Sequence, residues 1–274
     1  MTTPLIDLLS QAWTTGPSLS AEQAKELAPK DFPEAYSIQQ QVGKALGWFD
    51  AEGPKFWKLG GPKGGSTGAG VPISLVRQVP ADIPVQLFSD DACNFTALEV
   101  ELAVRLGQPL EPGCTLEDAC AAVAEVYLAI EVCDLRAENW QELPPTYRLA
   151  DQQMSRGFLL TGTPLSGWRD ELKQISPTIS INDTLISEGL LSHPQDHPLA
   201  ALPWLANLSA ALYDAPLSEG TVIATGTWAG MHLLAPGDHF RVALEGFDSF
   251  DATLDSAAED ATAVRFLGAF KQSK

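Results

Sequence analysis

The sequence predicts an α+β protein, with a small helical N-terminal region followed by a larger, mostly β domain. Three observations carry this. Residues 4 to 48 place apolar side chains at helical spacing, strand-like runs dominate after residue 80, and a glycine-rich stretch separates the two textures. With 274 residues, 45% hydrophobic and 19% charged, the chain can bury a sizeable core in one large domain with a helical appendage.

In the helical part, "SAEQ", Ser20 to Gln23, is a capping box in which Ser20 caps the helix start and Gln23 reaches back. In "FPEAYSIQQQVGKALGW" the residues Ala35, Ile38, Val42 and Leu46 recur at the spacing of an amphipathic helix. The segment "KFWKLGGPKGGSTGAGVP" then predicts a strand running into a long loop, and the domain boundary falls after it, giving residues 1–75 and 76–274.

Farther on, "DIPVQLF", "ALEVELAVRL", "VYLAIEVCDL", "RGFLLTGT" and "PTISINDTLI" predict strands. Thr115 is placed to cap a helix over "LEDACAAVAEV", with Glu117 and Asp118 in its first turn. A second helix is predicted near "HPLAALPWLANLSAAL", disturbed early by Pro203. "GWRDELK" reads as a solvated loop or helix start. The last region, "SEGTVIATGTWAGMHLLAPGDHFRVALEGFDSFDATL", reads as short strands joined by glycine turns.

The formal net charge is −18, from 35 acidic and 17 basic residues. Such a chain has no general attraction for nucleic acid or an anionic membrane surface. An anionic ligand would need local positive charge, from a metal or a few basic side chains. Cys93, Cys114, Cys120 and Cys133 form no C-x-x-C pair and read as reduced, mostly buried thiols rather than disulfides or a zinc site. The N-terminus lacks the basic start and apolar core of a signal peptide, and no apolar run is long enough to span a membrane. These features predict a cytoplasmic protein.

"TALEVELAVRLG" carries the chemistry. Leu98, Val100, Leu102, Val104 and Leu106 alternate with Glu99 and Glu101, so in a strand the two carboxylates project side by side. Glu131, in "YLAIEVCDL", has a matching setting. Three carboxylates brought together repel one another unless a cation lies between them, and an all-oxygen set suits Mg²⁺, Mn²⁺ or Ca²⁺. Spacing alone leaves open both this reading and that of a solvated strand face.

The E-x-E strand, "AIEVCDLRAENW", "DQQMSRG", "DHPLAALPWLAN" and "IATGTWAGMHLLAPGDHFRV" occur in the order of one family. Together they resemble the fumarylacetoacetate hydrolase superfamily, in particular its 2-keto-4-pentenoate hydratase and 4-oxalocrotonate decarboxylase branch. The resemblance runs from roughly the second helix to the end. It implies a mixed β-roll carrying a small helical N-terminal domain, with Glu99, Glu101 and Glu131 as ligands of Mg²⁺ or Mn²⁺. It also implies a small 2-keto acid as substrate, chelated through its carboxylate and 2-oxo oxygen, and assembly as a homo-oligomer.

Lys58 in "KFWKLGG" matches the family's lysine and is assigned the proton transfer, for which a pKa lowered by burial or by the ion suits it best. Snorkelling from a strand end is its plain alternative. Ser155 matches a serine near the substrate, Arg156 is placed to pair with a distal substrate carboxylate, and Thr225 and Gly226 match a turn lying against the ligand. Ordinary turn roles explain Ser155, Thr225 and Gly226 as well. Asp134 and Arg136 read as a structural pair with Asp134 supporting Glu131, Asp151 as structural, and His197 as packing with a loop hydrogen bond. No role is assigned to His193, His232 or His239. Trp140, Trp168, Trp204 and Trp228 suit either interfaces or the core.

The chain departs from the hydratase pattern after Lys58, where "LGGPKGG" and "GAGVPISLV" lack the acidic residue thought to handle water or a proton. Three readings follow. One is a metal-dependent hydratase of 2-hydroxy-2,4-dienoates, and another a decarboxylase or C–C hydrolase of keto acids on the same site. The last is a catalytically weak keto-acid-binding member.

Overall fold

The computed structural model describes residues 4–15, 18–80, 84–88, 93–165 and 172–255; Trp168 and most of "GWRDELK" lie outside them. Helices α1 (Pro4–Thr15), α2 (Ala21–Glu26) and α3 (Phe32–Ala45) come first. The capping box is present at α2. Ser20 Oγ accepts from the Gln23 N–H at 3.2 Å, and the Ser20 N–H donates to Gln23 Oε1 at 3.1 Å. Ala35, Ile38 and Val42 of α3 are buried, as their spacing predicts.

The glycine-rich stretch departs from expectation. Strand β1 (Phe56–Gly60) turns back as β2 (Thr67–Gly70) instead of entering a long loop. Gly61 makes the turn at φ +85°, where a side chain would run into the Gly65 carbonyl. Strands β3 (Val76–Val79), β4 (Val85–Phe88) and β5 (Thr96–Leu106) follow. Helix α4 (Leu116–Ala122) starts at its Thr115 cap but is shorter than predicted, because strand β6 (Val123–Cys133) begins at once. Its alternating apolar residues pair with β5 from Val123 onward, and that pairing overrides the helical reading of "VAEV".

The short helix α5 (Pro145–Ala150) leads to β7 (Ser155–Thr161), then to β8 (Gln174–Ile175) and β9 (Thr178–Ile181). "PTISINDTLI" is a hairpin rather than one strand. It joins β9 to β10 (Thr184–Ser187) through Asn182 and Asp183, at φ 49° and 61°. After β11 (Leu191–Ser192) comes α6 (Leu202–Tyr213), in which Pro203 occupies the first turn and so begins the helix instead of kinking it. Strands β12 (Val222–Ala224), β13 (Met231–Leu234), β14 (His239–Ala243) and β15 (Phe250–Asp255) complete the described chain.

The larger sheet has the order β2-β1-β12-β5-β6-β7-β3, with β13 also on β5; a second sheet runs β10-β9-β14-β15-β4. Both mix parallel and antiparallel pairs. With the N-terminal helices this is the α+β roll that the resemblance implies. The larger sheet divides two cores. Leu98, Val100, Leu102, Leu128 and Ile130 face one that includes Leu202 and Leu205 of α6. Ala103, Ala129, Phe158 and Ala224 face the other, with Leu5, Leu9 and Ile38 of the N-terminal helices.

A buried ion pair ties α1 to this second face. Arg136 Nε donates to Asp151 Oδ1 at 2.9 Å, and Trp13 Nε1 donates to the same oxygen at 3.1 Å. The Arg136 guanidinium lies 3.7 Å from the centre of the Trp13 ring. Asp134 and Arg136 therefore have other partners than each other. Asp134 accepts from the Asn94 N–H at 3.1 Å and stands 3.7 Å from Arg156 Nη1. Asp151, farther along the chain, takes Arg136 instead: its two oxygens share the Arg136 Nε–H at 2.9 and 3.0 Å, and Oδ2 also accepts from the Arg136 backbone N–H at 2.6 Å.

His193 closes the connection between β12 and β13. Its Nε2–H donates to the Thr225 carbonyl at 3.0 Å, Nδ1 accepts from the Gln195 N–H at 3.3 Å, and the ring packs edge-on against Trp228. Burial pushes its pKa down to about 4. His197 makes the predicted loop hydrogen bond, accepting from the Leu199 N–H at 3.0 Å.

Two stability predictions follow from this packing. Asp151→Ala leaves Arg136 as an uncompensated buried charge, and urea denaturation is expected to show a loss of about 3–5 kcal/mol. A loss below about 1 kcal/mol would show that the pair is not what secures α1. For His193, the unfolded state binds the proton more tightly than the folded state, so stability is present at pH 7 and falls as the pH drops from about 6.5 toward 4. The loss between pH 7 and pH 5 is about 2 kcal/mol. In His193→Gln that part of the acid sensitivity disappears; an unchanged pH profile would mean that His193 does not titrate as described.

Candidate metal centre

The site is built on the sheet face that looks toward the N-terminal helices. Glu99 of β5 and Glu131 of β6 are direct cross-strand partners, and Glu101 lies two residues along β5 on the same face. Lys58 reaches this face from β1 by register, since it pairs with Ala224 of β12, which in turn pairs with Ala103 of β5. The β6–β7 pairing carries a bulge. Val132 pairs with Gly157 but Cys133 with Ser155, so Arg156 is the extra residue. That one-residue shift sets Ser155 beside Cys133 and leaves Arg156 to Asp134.

Burial decides against a solvated strand face. Glu131, Glu101 and Lys58 are 0%, 1% and 3% exposed. Lys58 Nζ donates to both oxygens of Glu131 at 2.6 Å and to the Gln153 carbonyl at 3.0 Å. This is a fixed, fully paired ammonium, not a side chain snorkelling to water. The Gln153 carbonyl is held there by an unusual turn. Gln152, Gln153 and Met154 follow one another at φ 49°, 54° and 64°, a left-handed run costly for residues with side chains.

On the other side, Glu101 Oε2 accepts from the Gly226 N–H at 2.9 Å, while its Oε1 is buried without a hydrogen-bond partner. Gly226 sits at φ +102°, a conformation that side chains rarely adopt. Thr225 anchors the turn, since its N–H and its Oγ1 both donate to the Leu102 carbonyl at 2.9 Å. Of the residues singled out in sequence, Glu99, Glu101, Glu131, Lys58, Ser155 and Gly226 converge. Thr225 supports the turn, and Arg156 is turned to Asp134.

The electrostatics reflect crowding of like charge. Burial pushes the Glu131 carboxyl up to about 7, with Lys58 and the Ser155 hydroxyl pulling against it and Glu99 adding to it. Burial and the neighbouring Glu131 and Glu99 hold Glu101 well above the usual carboxylate range. Burial is the largest influence on Lys58 and pulls it down, as a base requires, but Glu131, Cys133, Glu99 and Glu101 together outweigh it, and the lysine is held above its ordinary value as an ammonium. That corrects the expectation of a lowered pKa.

Cys133 was read from sequence only as a buried thiol. It is buried, and it offers Sγ within 4.8 Å of carboxylate oxygens of Glu99 and Glu131. The i, i+2 spacing that sets Glu99 and Glu101 side by side also links Glu131 to Cys133.

The donor set fits a divalent cation. When ionised, the buried carboxylates of Glu101 and Glu131 with that of Glu99 leave two negative charges beyond the one that Lys58 balances. The donors that lie within 4.8 Å of one another among the described residues are those of Glu99, Glu131 and Cys133, while Glu101, two residues along β5, adds a buried acceptor, Oε1, without a partner.

Comparison with known proteins agrees with this architecture. The 2-oxo-hept-4-ene-1,7-dioate hydratase of Escherichia coli is 32% identical over 170 residues, 59% of this chain and 61% of that protein. The 4-oxalocrotonate decarboxylase of Pseudomonas putida is 32% identical over 157 residues, 57% of this chain and 58% of that protein. The chain thus spans about six-tenths of the length of these curated relatives. Among solved structures, the 4-oxalocrotonate decarboxylase from Pseudomonas putida G7 complexed with calcium and acetate superposes with a TM-score of 0.73 at 24% identity, covering 91% of this chain and 95% of that one. The same enzyme complexed with magnesium and adipate gives 0.70 at 23%, covering 93% and 98%. At these identities the likeness is one of fold. Residues 66–255 match the family model described as fumarylacetoacetate (FAA) hydrolase C-terminal, and since they make up more than half of the sequence, the chain belongs to the fumarylacetoacetate hydrolase family.

Proposed function

We propose that this chain is a divalent-metal-dependent lyase acting on a small 2-keto acid, of the hydratase and decarboxylase type. The observation that carries the reading is that Glu99, Glu101, Glu131 and Lys58 share one sheet face, all buried except the part-buried Glu99. The names of its relatives, hydratases and decarboxylases of unsaturated keto acids, support it.

Glu99, Glu101 and Glu131 would hold Mg²⁺ or Mn²⁺. When bound, such an ion supplies a Lewis acid for a 2-oxo group and a positive charge for the adjoining carboxylate. Lys58 holds its proton at Nζ, so it enters as an acid toward developing negative charge on the substrate oxygen. Its conjugate amine is then the base for the reverse transfer. The buried Ser155 hydroxyl lies near Glu131 and is free to donate to substrate, and Gly226 fixes Glu101 through its N–H. The helical layer over this face excludes bulk water, which strengthens each of these interactions.

The hydratase-like reading comes first and decarboxylation on the same site is the alternative, because one residue expected of a hydratase is missing. The charged and ionisable neighbours that shift Lys58 are Glu131, Glu99, Glu101 and Cys133, and residues 59 to 80 contain no Asp or Glu to manage a water molecule.

Calorimetry tests the centre. Oxalate, a non-reacting mimic of the keto-acid head, is expected to bind the chelator-stripped protein only with Mn²⁺, and binding is lost in Glu101→Gln. Oxalate binding that ignores Mn²⁺ would sink the metal reading. Lys58→Ala is expected to lower turnover of 4-oxalocrotonate or of a 2-hydroxydienoate by about a hundredfold or more while Mn²⁺ still binds; undiminished turnover would remove the role given to Lys58.

A further inference from the structure

We propose that Cys133 is a fourth donor at this centre, and that its sulfur shifts the metal preference from Mg²⁺ toward softer divalent ions such as Co²⁺, Zn²⁺ or Cd²⁺. The proposal rests on the reading of Glu99 and Glu131 as ligands and goes beyond it, because a thiolate enlarges that preference well past what an all-carboxylate set gives.

Geometry is the first support. Cys133 follows Glu131 by two residues in β6, so both side chains leave the same face. Its Sγ and one oxygen each from Glu99 and Glu131 lie within 4.8 Å of one another. Two donors on one ion stand at most about 4.4 Å apart, from a metal–sulfur distance of about 2.3 Å and a metal–oxygen distance of about 2.1 Å. Rotamer adjustments of a few tenths of an ångström therefore suffice, without moving the strands.

The second support is the state of the neighbouring groups. Cys133 is a free thiol and 1% exposed. Glu101, equally buried, leaves Oε1 unpartnered. A buried thiol packed for structure alone is normally set among apolar side chains. This one is set among carboxylates, where a coordinated cation would be its natural counterpart. A coordinating thiol is deprotonated by the metal itself, and thiolate is the ligand type that discriminates soft from hard ions.

The test uses the metal-stripped full chain and follows Co²⁺ binding by the near-ultraviolet charge-transfer band that thiolate ligation produces. Mn²⁺ binding is followed in parallel by loss of the free-ion electron paramagnetic resonance signal. The wild-type chain is expected to show the cobalt band. Cys133→Ser and the similarly sized Cys133→Val should both lose it and bind Co²⁺ about tenfold or more weakly, with Mn²⁺ affinity changed by less than about threefold. Co²⁺ and Mn²⁺ binding without the band, or a band that survives in Cys133→Val, overturns the role of Cys133 and leaves the carboxylate centre standing. Failure of both ions to bind the wild-type chain overturns the centre and this proposal together.

Discussion

Everything in the larger sheet hangs on the antiparallel register of β5 and β6. Side chains alternate along a strand, so this register decides which residues meet the helices and which meet α6. With Glu99 opposite Glu131, the leucines and valines between them line one apolar core, and the carboxylates share the other face with Ala103, Ala129 and Ala224. A slip by one residue would send each carboxylate into a leucine-rich interior, where its ionised form is intolerable. The hydrophobic alternation therefore positions the polar site as firmly as any polar contact does. Strands β12 and β13 attach to β5, and β7 to β6, so the remaining site residues inherit their places from this one pairing.

Crowding the buried carboxylates of Glu101 and Glu131 beside the part-buried Glu99 is itself unfavourable, and the surrounding structure is arranged to offset it. Lys58 spans both oxygens of Glu131, and the Gly226 N–H holds Glu101. Strain gathers at the same place, in the left-handed run from Gln152 to Met154 and in the bulge at Arg156. Both distort the backbone just where β7 begins, and both deliver a group to the site: the Gln153 carbonyl to Lys58, and Ser155 to the neighbourhood of Glu131. Local departures from ideal geometry are tolerated there because the long β5–β6 ladder over-determines the rest.

Strand parity made much of this legible in sequence. The facing of Glu99 and Glu101 follows from a period of two, and the capping box at Ser20 and the cap at Thr115 follow from spacing alone. Other features depend on partners that a single stretch of sequence does not reveal. The end of α4 is decided by β5 drawing Val123 into a ladder, and the partner of Arg136 by Asp151 arriving from beyond α5. A bulge is a property of two strands together, so "MSRG" alone cannot say which of Ser155 and Arg156 will face Glu131. The left-handed turn has no compositional signal, because Gln and Met are not residues chosen for that conformation. Cys133 differs from these: its i, i+2 spacing from Glu131 is legible in the sequence, but a lone cysteine in an apolar strand carries no signal that separates a ligand from a packed thiol.

The pairing of Lys58 with Glu131 has a consequence for biogenesis. A carboxylate cluster that depended on a dissolved ion for neutrality would tie the maturation of every new chain to the ion supply of its surroundings. Here one counter-charge is covalently tethered and arrives with the polypeptide. The strands can assemble around the ammonium first, so that folding and ion uptake are separate events. Scarcity of an ion would then yield an idle scaffold ready for loading rather than a misfolded one.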